Sequence, residues 1–85
     1  MSKIITFNRR HSFFTPDYTY SVLDQGKWIG EVARNEGENK WYASNKTWTG
    51  GGTFKRTFPT RWQAAAALRH MADGYSPKSY GGYVK

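Results

Sequence analysis

An 85-residue chain of 9.8 kDa has room for one small domain and none for a two-lobed enzyme with an interdomain cleft. Aromatic residues make up 18% of it, which excludes a chain disordered throughout, and the formal charge of +7 with a pI near 9.9 favours polyanionic partners. With no cysteine, disulfides, thiol nucleophiles and thiolate zinc sites are excluded together.

Residues 1–17 read as a basic N-terminal arm carrying Lys3, Arg9 and Arg10. The stretch Lys3-Ile4-Ile5-Thr6-Phe7 has the composition of an edge strand, but the polar run from Asn8 to Ser12 suggests that the chain leaves the sheet there. The folded domain is expected over residues 18–74. Residues 18–23 are rich in aromatic and β-branched side chains and predict a strand, closed by the turn Asp24-Gln25-Gly26-Lys27. A second strand over 28–34 completes a hairpin, its alternation placing Trp28, Gly30 and Val32 on one face and Ile29, Glu31 and Ala33 on the other. Trp28 then reads as a core aromatic under the helix. After the turn-forming cluster 35–39 comes a short third strand over 40–44. Residues 45–52, with Trp48 and three consecutive glycines, predict a loop, and residues 53–58 a fourth strand.

Thr60-Arg61-Trp62-Gln63 has the form of a capping box, Pro59 discourages an earlier start, and Gly74 suits a helix C-terminus. The spacing of Ala64, Ala65, Leu68, Met71 and Ala72 predicts an amphipathic helix over about 61–73, whose small inner face lets it approach a sheet closely. Residues 75–85 lack periodicity and read as a mobile tail. The expected fold is α+β: a three- to four-stranded antiparallel meander against one C-terminal helix.

The charge is segregated along the chain. Residues 17–38 hold Asp17, Asp24, Glu31, Glu36 and Glu38 against Lys27 and Arg34, whereas residues 40–69 hold Lys40, Lys46, Lys55, Arg56, Arg61 and Arg69 with no acid. Such a basic stretch either solvates a small fold or binds a polyanion, and its length favours the second. Catalysis has little support: the carboxylates cluster on the first hairpin and its turn, no serine sits in a nucleophile-elbow setting, and Gly50-Gly51-Gly52-Thr53-Phe54-Lys55 lacks the order and helix of a phosphate loop. His11 and His70 are far apart without metal-ligand spacing. We therefore expect no enzyme, no metal and no cofactor. No apolar run approaches the ~20 residues of a membrane span and no secretory leader is evident, so the expectation is a cytoplasmic protein with no membrane partner.

Aromatic and basic residues interleaved on strands and loops suit phosphates and base stacking. Phe54 and Phe58 read as core. Trp41 is undecided between core and contact, with Lys40 and Tyr42 on the opposite face. Trp48 reads equally as a ligand-contacting loop tip or as an indole folded back on the core, with Lys46, Lys55 and Arg56 around it in sequence.

The strings Gly26-Lys27-Trp28-Ile29-Gly30-Glu31-Val32 and Thr57-Phe58-Pro59-Thr60-Arg61-Trp62-Gln63, followed by Ala64-Ala65-Ala66-Ala67-Leu68, resemble the ethylene-response-factor type of DNA-binding domain over residues 18–74. That fold is shared with the arm-binding domains of phage tyrosine integrases. The resemblance implies a sheet laid in the major groove, read from the face opposite the helix, with Glu31 at a contact position and Trp41 corresponding to a contacting Trp. The family's usual Arg two places after that Glu is Ala33 here, while Arg34 faces the other way. Size, aromatic content and basic balance also resemble small bacteriophage accessory proteins. The resulting expectation is a DNA-binding protein whose open sheet face and Gly-rich loop contact duplex phosphate and groove through Arg34, Lys40, Trp41, Lys46, Trp48, Lys55 and Arg56, with Arg9 and Arg10 as an accessory arm. The alternative is a phage effector that inhibits a host protein through that protein's acidic surface; RNA or single strands are a third class of target. Target sequence and oligomeric state are not encoded in any pattern of the chain.

Overall fold

A computed structural model of the protein describes residues 5–10, 18–47, 49–74 and 80–84. Four antiparallel strands, β1 (Ile5–Arg10), β2 (Tyr18–Asp24), β3 (Lys27–Arg34) and β4 (Tyr42–Ser44), lie in the order β1-β2-β3-β4, and one helix, α1 (Arg61–Ala72), follows. This is the α+β meander that the alternating strands and the single 3.6-residue pattern predict. The first strand is longer than expected: Asn8, Arg9 and Arg10 stay in the ladder, opposite Ser21, Tyr20 and Thr19. Their polarity does not end the strand: Asn8 is exposed on the open face, and Arg9, though on the helix side, is also exposed because α1 does not cover that end of the sheet.

The ladder sorts the side chains onto two faces. Phe7, Val22, Gly30, Val32 and Ala43 line up on the face that α1 covers, and Thr6, Ser21, Leu23, Glu31 and Ser44 on the other. Helix α1 lies chiefly over β3 and β4. Its buried residues Ala64, Ala65, Ala67 and Leu68 meet Val22, Ile29, Val32, Ala43, Phe54 and Phe58 in one core. Alanines on the inner face bring the helix backbone close to the sheet, and the two phenylalanines fill the volume that this leaves.

Alternation fails at one point in β3. Val22 pairs with Gly30 but Leu23 pairs with Trp28, so Ile29 is an extra residue in a β-bulge. The expectation that Trp28 shares a face with Gly30 and packs under the helix is therefore corrected. Ile29 takes the core position, and Trp28 pairs across the open face with 39% of its surface exposed. The reason lies in Gly30, where a Cβ would stand 2.6 Å from Leu68 Cδ2 and 2.6 Å from the Ser44 carbonyl oxygen. The helix presses on the strand at that residue, and no bulky neighbour fits on the same side.

Two further expectations are corrected beyond β4. Residues 53–58 do not form a regular strand; they touch the sheet through isolated bridges, Ser44 with Thr53 and Trp41 with Phe58. Hydrogen bonds from Phe54 N to the Ala43 carbonyl and from Trp41 N to the Phe58 carbonyl close the outer edge of β4. Nor are residues 80–84 a free tail. Lys55 N donates to the Gly82 carbonyl, Arg56 N to that of Tyr80 and Val84 N to that of Thr53, while Tyr80 and Tyr83 stack on Phe54. Gly81 and Gly82 supply the positive φ values, 78° and 79°, that bend the segment back onto the domain. The rest of the expected tail, 75–79 and 85, lies outside the described residues, as do 1–4 and 11–17 of the arm.

The helix start is as its sequence predicts. Thr60 is extended, and its hydroxyl accepts from Gln63 N at 3.2 Å. Removing that acceptor in Thr60→Ala should cost about 1 kcal/mol, read as a lower denaturant midpoint with an unchanged slope. A midpoint unmoved from the parent protein would show that the cap is not what holds this end of the helix.

Candidate nucleic-acid interface

The strand register fixes which predicted contact residues can act together. Tyr18 pairs with Arg34 and Tyr20 with Val32, while Arg9 sits opposite Tyr20, so Arg9, Tyr18, Tyr20 and Arg34 share the helix-side face. Helix α1 covers that face only in part. Around its first turn the sheet carries cations stacked on rings. The Arg34 guanidinium lies 4.4 Å from the Tyr18 ring centroid and 5.7 Å from that of Trp41. Arg9 approaches the Tyr18 ring at 5.6 Å. Arg61, the first helical residue, lies 4.6 Å from the Phe7 ring and 5.1 Å from that of Tyr20. Tyr20 and Trp41 are themselves 6.0 Å apart, which joins the two clusters into one surface.

Guanidinium on aromatic is a favourable pairing, and it leaves the in-plane N–H donors of the arginine pointing outward. Side-chain entropy that a free arginine would lose on gripping a phosphate has here been spent on folding. Arg34 is further fixed by a 2.9 Å hydrogen bond from Nη1 to the Glu38 carbonyl oxygen. The Glu38 carboxylate is occupied elsewhere: it accepts from Asn35 Nδ2 and Tyr42 Oη and pairs with Lys40 at 3.7 Å. Among the described residues, no carboxylate pairs with Arg34 or Arg61, and the first turn of α1 carries no acid. The positive end of the helix dipole adds to the same field.

Among the described residues, none of the other expected cationic contacts lies over these rings. Glu31 is on the open face, opposite Ser21 and Ser44. Lys40 is exposed at the end of the β3–β4 turn, 5.7 Å from the Tyr42 ring centroid. Lys46 is exposed in the loop after β4, and Lys55 and Arg56 are exposed on the segment that binds residues 80–84. Arg56 approaches the Phe58 ring at 5.9 Å. Trp48 and the Arg10 side chain lie outside the described residues.

Of the basic residues expected on the open sheet face, Arg34 lies on the helix side and Lys40 lies beside Tyr42 on the open side. On β2, β3 and β4 that face holds the buried Thr19 together with Ser21, Leu23, Trp28, Glu31, Ala33, Tyr42 and Ser44; its strand residues include one acid, and the Lys40 ammonium lies over the Tyr42 ring. Period-2 alternation keeps Arg34 off this face, since Arg34 and Glu31 are an odd number of positions apart and must point to opposite sides.

Sequence reasoning passed over Arg61, Trp62, Phe7, Tyr18 and Tyr20 as site residues. Trp62 was detectable, because on a helical wheel it stands with Ala66 and Arg69, away from the inner stripe of Ala64, Ala65 and Leu68. The stacking of Arg34 and Arg61 was not detectable, since it depends on cross-strand register. Among the described residues, no group of three or more His, Asp or Glu side chains is placed to hold a metal ion, and no helix is long and apolar enough to cross a membrane. Neither a family model, nor a curated protein, nor a solved structure matches this chain.

Proposed function

We propose that the protein binds nucleic acid, DNA in the first instance, through the helix-side surface formed by Arg9, Arg34, Trp41 and Arg61. The observation that carries this reading is the set of ring-stacked guanidiniums on one surface, with Arg34 and Arg61 free of carboxylate partners among the described residues. Stacked arginines can also serve a small fold simply by covering its rings. The net charge of +7 and the acid-free first turn of α1 favour an anionic ligand over mere coverage. The phosphate backbone supplies that ligand at a regular spacing. The reading departs from the resemblance in its choice of face: the guanidiniums over aromatic rings lie on the helix side, whereas Glu31 lies on the open side.

Fluorescence anisotropy of a labelled 20-base-pair duplex, titrated between 50 and 200 mM salt, tests it. With about five phosphates neutralised, log affinity should fall against log salt with a slope near −4.5, at about 0.9 per phosphate. Arg34→Ala should weaken binding and reduce that slope by about 0.9. Absence of binding both to this duplex and to a single strand of equal length, or salt-independent binding, overturns the proposal. Tighter binding to polyglutamate than to DNA would overturn it in favour of an acidic protein surface.

A further inference from the structure

The first turn of α1 holds a second feature that phosphate binding does not require. Trp62 is 57% exposed, the most exposed of the large hydrophobic residues Trp28, Trp62 and Val84. Its one ring contact among the described residues is with Phe7, at 4.9 Å between centroids and 89° between planes. An edge-to-face contact braces an indole without stacking a ring parallel to it. Trp62 is also next in sequence to Arg61, whose guanidinium rests on the same Phe7 ring at 4.6 Å. An open indole and an oriented cation therefore share one aromatic support.

This pairing has a specific chemical match. A stacked base pair inside a duplex shows its edges in the grooves and hides its π-face, so an exposed indole gains little from it beyond contact area. An unpaired nucleotide offers its π-face together with an adjacent phosphate, and a ring beside a guanidinium can take both.

We propose that Trp62 is a stacking platform for an unpaired base, with Arg61 beside it on the neighbouring phosphate, so that the protein prefers single strands or strand junctions to continuous duplex. The proposal rests on the nucleic-acid reading above and assigns its ligand subclass. No base identity is selected, because every base has a π-face.

The test compares a labelled 15-nucleotide oligo(dT) with a duplex of equal length, for the parent chain, Trp62→Ala and Trp62→Phe, with thermal melting of each variant as a check on folding. The parent should bind the single strand more tightly. Trp62→Ala should weaken single-strand binding about tenfold, within the range that one lost base stack gives, and shift duplex binding less than twofold. Trp62→Phe should restore part of the loss. Equal or tighter duplex binding by the parent, or single-strand affinity unmoved in a folded Trp62→Ala, overturns the stacking proposal and leaves the nucleic-acid reading standing. A parent chain that binds neither probe overturns both.

Discussion

Gly30→Ala is expected to remove about 3 kcal/mol or more of folding stability, a large part of the ~5–15 kcal/mol that a domain has in total. Two costs add at this residue. Its φ of 155° belongs to a region that side chains rarely adopt. A Cβ would also meet Leu68 Cδ2 at 2.6 Å and Leu68 Cδ1 at 2.9 Å on the helix, and the Ser44 carbonyl oxygen at 2.6 Å on β4. Leu68 could give way by rotating, but the carbonyl belongs to the strand pairing and cannot. Gly37→Ala is the matched control, because it has a positive φ of 84° and nothing within 4 Å of its Cβ. It should cost about 1 kcal/mol. Urea melts of the two variants separate the close approach of α1 from backbone strain, and equal midpoints would show that the helix does not press on β3 as described.

The second large effect concerns Phe54. Its side chain is fully buried, with the rings of Tyr80 at 5.4 Å and Tyr83 at 5.6 Å, each within 16° of parallel. Phe54→Ala should cost about 3–5 kcal/mol, since both the transferred area and the cavity count against it. The informative comparison is the double variant Tyr80→Ala with Tyr83→Ala. If residues 80–84 are part of the fold, that variant is destabilised, and a double-mutant cycle with Phe54→Ala gives a coupling of about 1 kcal/mol or more. If the segment were a free tail, the tyrosine substitutions would leave the urea midpoint of the chain unchanged.

These two residues also mark where the sequence was legible. Local signals succeeded: the hairpin turn at Gln25-Gly26, with φ values of 53° and 84°, and the Thr60 cap both fall where turn and capping chemistry place them. The meander with one helix follows from these. What local signals could not supply was the bulge at Ile29, because a two-residue period carries no mark of an inserted residue until a helix is known to crowd Gly30. The docking of residues 80–84 was hidden for a similar reason. Gly, Ser and Tyr without periodicity have the composition of a tail, and nothing in them marks the Phe54 ring on which the two tyrosines stack. For the candidate site, the sequence named Arg9, Arg34 and Trp41, while the surface proposed above lies on the helix side of the sheet rather than the open side. Charge counted along the chain says how much positive potential exists; the ladder register decides which side carries it.

The resulting picture ties fold to proposed activity through a few rings. Phe7, Tyr18, Tyr20 and Trp41 are only partly buried, because α1 begins too late to cover them. Arginines complete the covering, which makes one surface of the domain cationic. Amide chemical-shift mapping during titration with a short duplex and then with oligo(dT) tests this most directly, since it reports binding and location together. The account predicts shifts concentrated at Arg9, Tyr20, Arg34, Trp41, Arg61 and Trp62, with the Trp62 indole N–H moving most with the single strand. Shifts centred on Ser21, Glu31 and Tyr42 instead, or no shifts with either nucleic acid, would contradict it.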